Sequence, residues 1–176
     1  MEGKCYIGID PGQKGFISTQ FNGAWEHFSI DDNDFHKLAE ILRQIKEKHP
    51  HLVCVMESVH AIFGSSAKST FNFGQINGFL LGLLIANEIP YSLIPPKTWQ
   101  AEMWIDQDKE ITYKKEKHKN GKEVVKKEIN TKPTSINCCK RLFPSFDLRR
   151  TTKCTNIDDN KVDSILLCEY ARRMNL

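Results

Sequence analysis

No stretch of this chain is apolar for the roughly 18 residues that a membrane-spanning helix needs. The most apolar run, FLLGLLIA at 79–86, is far too short. A basic-then-apolar leader pattern is absent from the N-terminus, so the expectation is a cytoplasmic protein with no membrane partner. The six cysteines (5, 54, 138, 139, 154 and 168) include no CxxC pair, which argues against a zinc ribbon or a disulfide framework. Cys5, Cys54 and Cys168 sit in apolar patterns and read as small core residues of a protein in a reducing compartment. A second D-x-G-x-x-G loop is also missing, a point that decides between function classes below.

What is present is an ordinary globular composition with uneven charge. Hydrophobic residues make 40% and charged residues 27% of 176 residues, enough for one domain over 1–176 with its own core. The net charge is only +3, but its distribution is patchy. Between 106 and 132 there are nine lysines against six acids, and Lys140, Arg141, Arg149, Arg150 and Lys153 face Asp147 alone in the next basic strip. Acids gather instead at Asp31, Asp32 and Asp34 and at Asp158, Asp159 and Asp163. Basic strips beside isolated acids suit a metal enzyme that binds a polyanion.

The stretch KCYIGIDPGQKG at 4–15 organises the rest. Tyr6, Ile7 and Ile9 are strand formers, Gly8 allows close approach to the backbone, and Pro11-Gly12 turns the chain. Asp10 at that junction is either a turn-capping residue or a metal ligand, because a carboxylate closing a buried strand is costly unless paired or coordinated. Phe16–Phe21 and Ala24–Ser29 flank Asn22-Gly23 and complete an antiparallel meander. Asp34 and its neighbours offer caps for a helix over 35–48, which His49-Pro50 ends. LVCVM at 52–56 is a strand buried on both faces, closed by Glu57.

A loop over 58–68 leads to a helix capped by Ser69 or Thr70 and running to about Asn87. Gly74, Gly78 and Gly82 recur every four residues there, so one face is expected to pack closely against the protein's own elements or a second copy. A strand at Tyr91–Ile94 and a short helix at 97–104 follow. Strands at 111–119 and 122–129 around Asn120-Gly121 form an inserted basic β-hairpin, the 106–132 arm, read as DNA-contacting or as a solvated insertion. Helices at 134–143 and from 158 to Met174 end the chain, giving an α/β fold with a mixed five-stranded sheet flanked by helices.

Asp159 and Asp163 are four apart and share a helix face, which is unfavourable unless a cation lies between them. If the first and fourth strands are neighbours, Asp10 and Glu57 meet, and the last helix completes four carboxylates around one or two oxygen-loving cations. Such a centre suits two-metal phosphodiester hydrolysis.

IGIDPGQKG at 7–15, VCVMES at 53–58, FNFGQINGFLLGLLIA at 71–86, PPKTWQ at 95–100, LFPSFDLRR at 142–150 and DDNKVDSILLCEYARR at 158–173 together resemble the RuvC-type Holliday-junction resolvases. The phage and plant-chloroplast branches are the most similar, and only the arm lies outside the resemblance. The resemblance implies a ribonuclease-H-like fold and a homodimer that cuts four-way DNA junctions by paired symmetric nicks with Mg²⁺ or Mn²⁺, without a nucleotide cofactor. It maps metal ligands onto Asp10, Glu57 and Asp163, and a fourth onto Asp159 or Asn160, with charge favouring Asp159. It gives Lys132, with Lys97 as the other candidate, a place at the scissile phosphate. It also implies base stacking by Phe63, with His60 behind it, and phosphate contacts from Arg149, Arg150 and Lys153.

Two other function classes compete. An actin-like ATPase needs a second phosphate loop and a second domain, and the sequence offers neither. A silent junction-binding module, or a nuclease for another branched or RNA-containing substrate, would share the fold, but a complete acid set argues against silence.

Overall fold

The computed structural model describes residues 3–30, 34–59, 66–117 and 123–176. The meander is present: β1 (Cys5–Asp10) pairs antiparallel with β2 (Phe16–Phe21), and β2 with β3 (Ala24–Ser29). β4 (Leu52–Glu57) lies parallel to β1 and β5 (Tyr91–Ile94) parallel to β4, so the sheet order is β3-β2-β1-β4-β5. The antiparallel half is joined by tight turns. The parallel half needs crossovers, which helices supply.

Two apolar clusters sandwich this sheet. On one face α1 (Phe35–Lys48) and α2 (Ala67–Ala86) cover Cys5, Ile7, Ile9, Cys54 and Met56. On the other, α3 (Pro96–Met103), α4 (Thr131–Leu142) and α5 (Asp159–Arg173) cover Val55 with Trp99, Met103, Val162 and Ile165. Strand side chains alternate between faces, so Gly8 and Asp10 belong with Val55 and Glu57 on the α5 side. None of the described helices is long and apolar enough to cross a membrane.

Gly8 is what lets α5 sit so low. A Cβ there would lie 2.2 Å from the Ser164 carbonyl oxygen and 2.3 Å from the Cys168 amide nitrogen. Contacts that short are with backbone, which cannot swing away. The Cys168 thiol donates to the Tyr6 carbonyl at 3.3 Å, and Ser18 on β2 meets Ser164 at 2.6 Å. At the far end of β1, the turn closes with the Gly15 amide donating to the Gly12 carbonyl at 3.0 Å. A Cβ on Gly15 would fall 2.1 Å from the Asp10 carbonyl.

Several boundaries differ from the sequence-based expectation. Ser66, not Ser69 or Thr70, caps α2, its hydroxyl accepting from the Ser69 amide at 3.1 Å. The helix α4 starts at Thr131, ahead of the expected Thr134, because Pro133 falls in the first turn, where no intrahelical hydrogen bond is lost. This brings Lys132 onto a helix. Glu57 belongs to β4 itself, and α3 opens one residue early on Pro96. The glycine ridge is the largest departure. No described atom lies within 4 Å of a Cβ built at Gly74, Gly78 or Gly82, so nothing in the described chain packs against it.

The arm forms a separate two-stranded sheet, β6 (Ile111–Lys117) with β7 (Glu123–Ile129), after a single 3-10 turn at Asp106–Asp108. Its Asn120-Gly121 turn lies outside the described residues.

Candidate metal and nucleic-acid site

The parallel register of β1 and β4 matches Gly8 with Val55 and Ile9 with Met56, and one further step sets Asp10 beside Glu57 at the carboxyl ends of both strands. Open α/β sheets place their ligand sites at such strand ends. Asp163 lies one residue before Ser164, where α5 presses on Gly8, and Asp159 lies one turn earlier on the same face. The four acids come from three elements that only the fold brings together.

Their mutual influence shows in their proton affinities. Burial first, then the charges of Asp163, Glu57, Asp159 and Asp158, hold the Asp10 carboxyl well above the usual carboxylate range. Burial likewise pushes Asp163 up to about 7, opposed by a hydrogen bond from Ser135 and reinforced by Glu57 and Asp159. Glu57 is raised by burial and drawn back by the indole of Trp99, whose Nε1 donates to Glu57 Oε1 at 2.9 Å. A group of carboxylates that raise one another's pKa is one that a cation would stabilise.

The residues fit a hard divalent ion in their chemistry. Asp163 Oδ1 is shielded from solvent and has no hydrogen-bond partner among the described residues, an uncommon state for a buried carboxylate oxygen. All donors are carboxylate oxygens, the set that Mg²⁺ and Mn²⁺ prefer. Among the described residues no three His, Cys, Asp or Glu side chains yet converge as a closed ligand set. Instead the Lys132 ammonium bonds Asp159 Oδ2.

The two neighbouring positions on α5 have other tasks. Asp158 is the helix cap, accepting from the Asn160 and Lys161 amides at 3.0 and 3.2 Å. The Asn160 side-chain amide also turns to Asp158, at 3.3 Å. Asp159, one turn before Asp163, adds its charge at Asp10.

Neither a protein-family model nor a curated protein matches this chain in sequence. Solved structures do match in shape. Thermus thermophilus RuvC in complex with Holliday junction substrate aligns over 97% of this chain and 96% of its own, with a TM-score of 0.56 and 8% identity. The yeast mitochondrial Holliday junction resolvase Ydc2 aligns over 95% of this chain and 77% of its own, with a TM-score of 0.51 and 16% identity. This chain has the ribonuclease-H-like fold of the RuvC-type resolvases.

Around the acids of this RuvC-like fold the basic residues divide into two kinds. Lys132 stays charged beside them, its pKa raised first by the hydrogen bond to Asp159 and then by the charges of Asp159, Asp163 and Asp10. Lys153 is exposed on the wall of a groove of about 610 Å³ that also includes Gln13, Lys14, Arg150 and Asp159. Lys97 is exposed on α3, two residues before the Trp99 that holds Glu57.

The arginines are engaged with the protein itself. Arg150 donates to Asp158 at 2.7 Å and to the Lys14 carbonyl at 3.0 Å, with its guanidinium 4.7 Å from the Phe16 ring centroid. It ties the α5 cap to the turn after β1. Arg149 forms a bidentate pair with Asp147, at 2.8 Å on both contacts. Arg141 does the same with buried Asp108, at 2.9 and 2.7 Å. The second basic strip is therefore largely neutralised, partly by acids distant in sequence. Phe63 and His60 lie outside the described residues.

Sequence reasoning missed Trp99 and Ser135 as partners of the acids. For Trp99 a signal existed: a buried indole needs an acceptor, and a Glu closing a buried strand needs a donor. For Ser135 there was none, since one serine early in a helix is ordinary.

Proposed function

We propose that this protein is a metal-dependent endonuclease of the RuvC type that resolves four-way DNA junctions. The observation that carries the reading is the buried, unpartnered Asp163 Oδ1 among acids drawn from β1, β4 and α5. Asp10, Glu57, Asp159 and Asp163 would hold Mg²⁺ or Mn²⁺, two ions in the full centre. Bound there, the cations would supply an activated water and charge neutralisation at the phosphodiester.

The chain's own residues set up that centre. Trp99 fixes the rotamer of Glu57, and Ser135 holds one oxygen of Asp163. Lys132 keeps a positive charge at the mouth, available to a scissile phosphate once a cation takes over Asp159. Lys14 and Lys153 line the adjoining groove, which is open enough for a sugar-phosphate backbone.

Paired symmetric nicks need two such centres, and α2 supports a homodimer. Phe71 and Ile85 are 72% and 63% exposed, in line with Gly74, Gly78 and Gly82. An apolar stripe without side chains along its middle suits close approach of a second helix.

The test is a gel assay with labelled four-way junction, linear duplex and single strand, in Mg²⁺ or EDTA, with Asp163→Asn alongside. Metal-dependent symmetric nicks in the junction alone, lost in the variant, are expected. Junction binding without cutting would favour a silent binding module. Equal attack on duplex or RNA-containing strands would keep the fold and overturn the resolvase reading.

A further inference from the structure

The arm is anchored where the acids are. β7 ends at Ile129, three residues before Lys132. Its base is held by a polar network on α4. The Asn130 amide donates to the Glu110 carbonyl at 2.8 Å, and the Glu110 amide to Thr134 Oγ1 at 3.0 Å. Asn137 donates to the Asp108 carbonyl at 3.1 Å, and Arg141 clamps Asp108, which is 2% exposed. Buried, bidentate and satisfied contacts of this kind set the direction in which the ribbon leaves the body.

The two faces of the ribbon differ in charge. Paired residues of an antiparallel ladder share a face. One face therefore carries Ile111 with Ile129, Tyr113 with Lys127, Lys115 with Val125, and Lys117 with Glu123 at the end away from the body. Those eight include three lysines and one acid, and Tyr113 is 68% exposed. The opposite face carries Lys114 and Lys126 with Glu128, which pairs with both at 2.7 and 3.6 Å. This face has two lysines against two acids, Glu116 and Glu128, whereas the first has three lysines against Glu123 alone.

The more cationic face also leads somewhere. Ile129 forms one wall of a groove of about 340 Å³ at the foot of the arm, with Lys97, Gln100, Trp104 and Lys109. Trp104 lines the groove with its ring, its Nε1 shielded from solvent and without an acceptor among the described residues, beside two ammonium groups. Lys109 also touches Asp106, but that pair is exposed and weak.

We propose that this groove and the more cationic face of the ribbon form one binding surface for a nucleic-acid strand leaving the cutting centre. The proposal rests on the nuclease reading of the acids. Lys97 and Lys109 take phosphates at the foot, and Lys115 and Lys127 take them along the ribbon. Tyr113 offers an exposed ring for a base to stack on. The occupant is a polyanion because the face carries three lysines against the single acid Glu123 and has an aromatic platform between its lysines. A two-stranded ribbon with mostly exposed side chains also gains little from packing alone, so a partner is what gives it a fixed surface to lie on.

The test compares two full-length variants in EDTA by fluorescence anisotropy with a labelled four-way junction and a linear duplex. One carries Tyr113→Ala, Lys115→Gln and Lys127→Gln. The other, on the opposite face, carries Lys114→Gln and Lys126→Gln. All five side chains are exposed, so both proteins should fold, checked by thermal melting. The first variant should lose about tenfold or more in affinity for the junction, with a slope of log K against log salt flatter by about 2. The second should stay within about twofold. Equal losses in both, or none in the first, would overturn the proposal. A first variant that changes oligomeric state at unchanged DNA affinity would make a second copy of the chain the occupant. Cleavage by wild type in Mg²⁺, run in parallel, separates the two readings. A protein that binds through this face but cuts nothing loses the nuclease reading alone, and one that cuts normally without it loses only the arm.

Discussion

Trp99 and Asp163 show how much the site depends on single contacts. The indole of Trp99 is fully buried, and its one polar atom is spent on Glu57. Trp99→Phe keeps most of the packing and removes the donor. We expect about tenfold or greater loss of cleavage, from roughly 1.5 kcal/mol or more of positioning, with junction affinity in EDTA unchanged. Raising Mn²⁺ should recover part of the loss. If binding fell in parallel with cleavage, Trp99 would be a packing residue only. Asp163 gives a pH prediction. Its folded pKa, about 7, exceeds the ordinary aspartate value of 3.8, so between those values the folded state binds more protons than the unfolded one. Stability from this group is full below pH 3.8 and is lost as pH rises through 7. Asp10, shifted in the same direction, adds to the effect. Metal-free protein should therefore melt lower at pH 8 than at pH 5.5 relative to Asp163→Asn. Mg²⁺ should raise the melting temperature more at the higher pH, where it does not compete with protons. A Mg²⁺ shift that is equal at both pH values, or retained in the variant, would remove Asp163 from the ligands.

At the scale of elements, the contact of α5 with β1 decides whether the acids meet. Gly8→Ala would drive a methyl group into the Ser164 and Cys168 backbone, since a Cβ would sit only 2.2 and 2.3 Å from them. Helix backbone cannot repack, so we expect destabilisation of about 3 kcal/mol or more. Cleavage should fall further than the folded fraction does, because Asp163 rides on the displaced helix. Urea unfolding and activity of the still-folded protein measure the two effects. A neutral Gly8→Ala would mean that α5 does not lie against β1 as described. Much of this element scale was legible beforehand. The β1–β3 meander followed from alternating apolar residues and Asn22-Gly23, and Gly8 from its place inside a strand pattern. The start of α4 was not legible, because a proline reads equally well as a helix's first turn or as the end of what precedes it. The ion pairing of the arginines was not legible either. Arg141 and Arg150 find Asp108 and Asp158, partners set by tertiary contact rather than by spacing.

For the whole molecule, the exposed stripe of α2 is the feature that a lone protomer leaves unexplained. The helix is apolar almost all round, yet only Ile76, Leu80 and Leu84 are buried among its residues. A second copy lying on Gly78 would cover Phe71 and Ile85 as well. Gly78→Lys adds a charged chain in open space on the protomer, so folding should be kept while association is weakened about a hundredfold. Light scattering across a concentration series reads the outcome. A wild type that stays monomeric with junction DNA present would sink the dimer. In a dimer that loses paired nicking on Gly78→Lys, single nicks should accumulate.

Some properties of this protein were determined by sequence alone, because they depend on neighbours along the chain. These are the strands and helices, the reduced core cysteines, the basic arm, and the presence of acids where hydrophobic strands end. The motifs also carried the resemblance that the shared fold now supports. Other properties were decided only by tertiary structure, because they depend on distances between residues far apart in the chain. The parallel pairing of β1 with β4 set Asp10 beside Glu57, and the bare backbone at Gly8 let α5 bring Asp163 over them. The same packing chose Trp99 to hold Glu57 and made Asp158 a helix cap, leaving Asp159 to face the other acids.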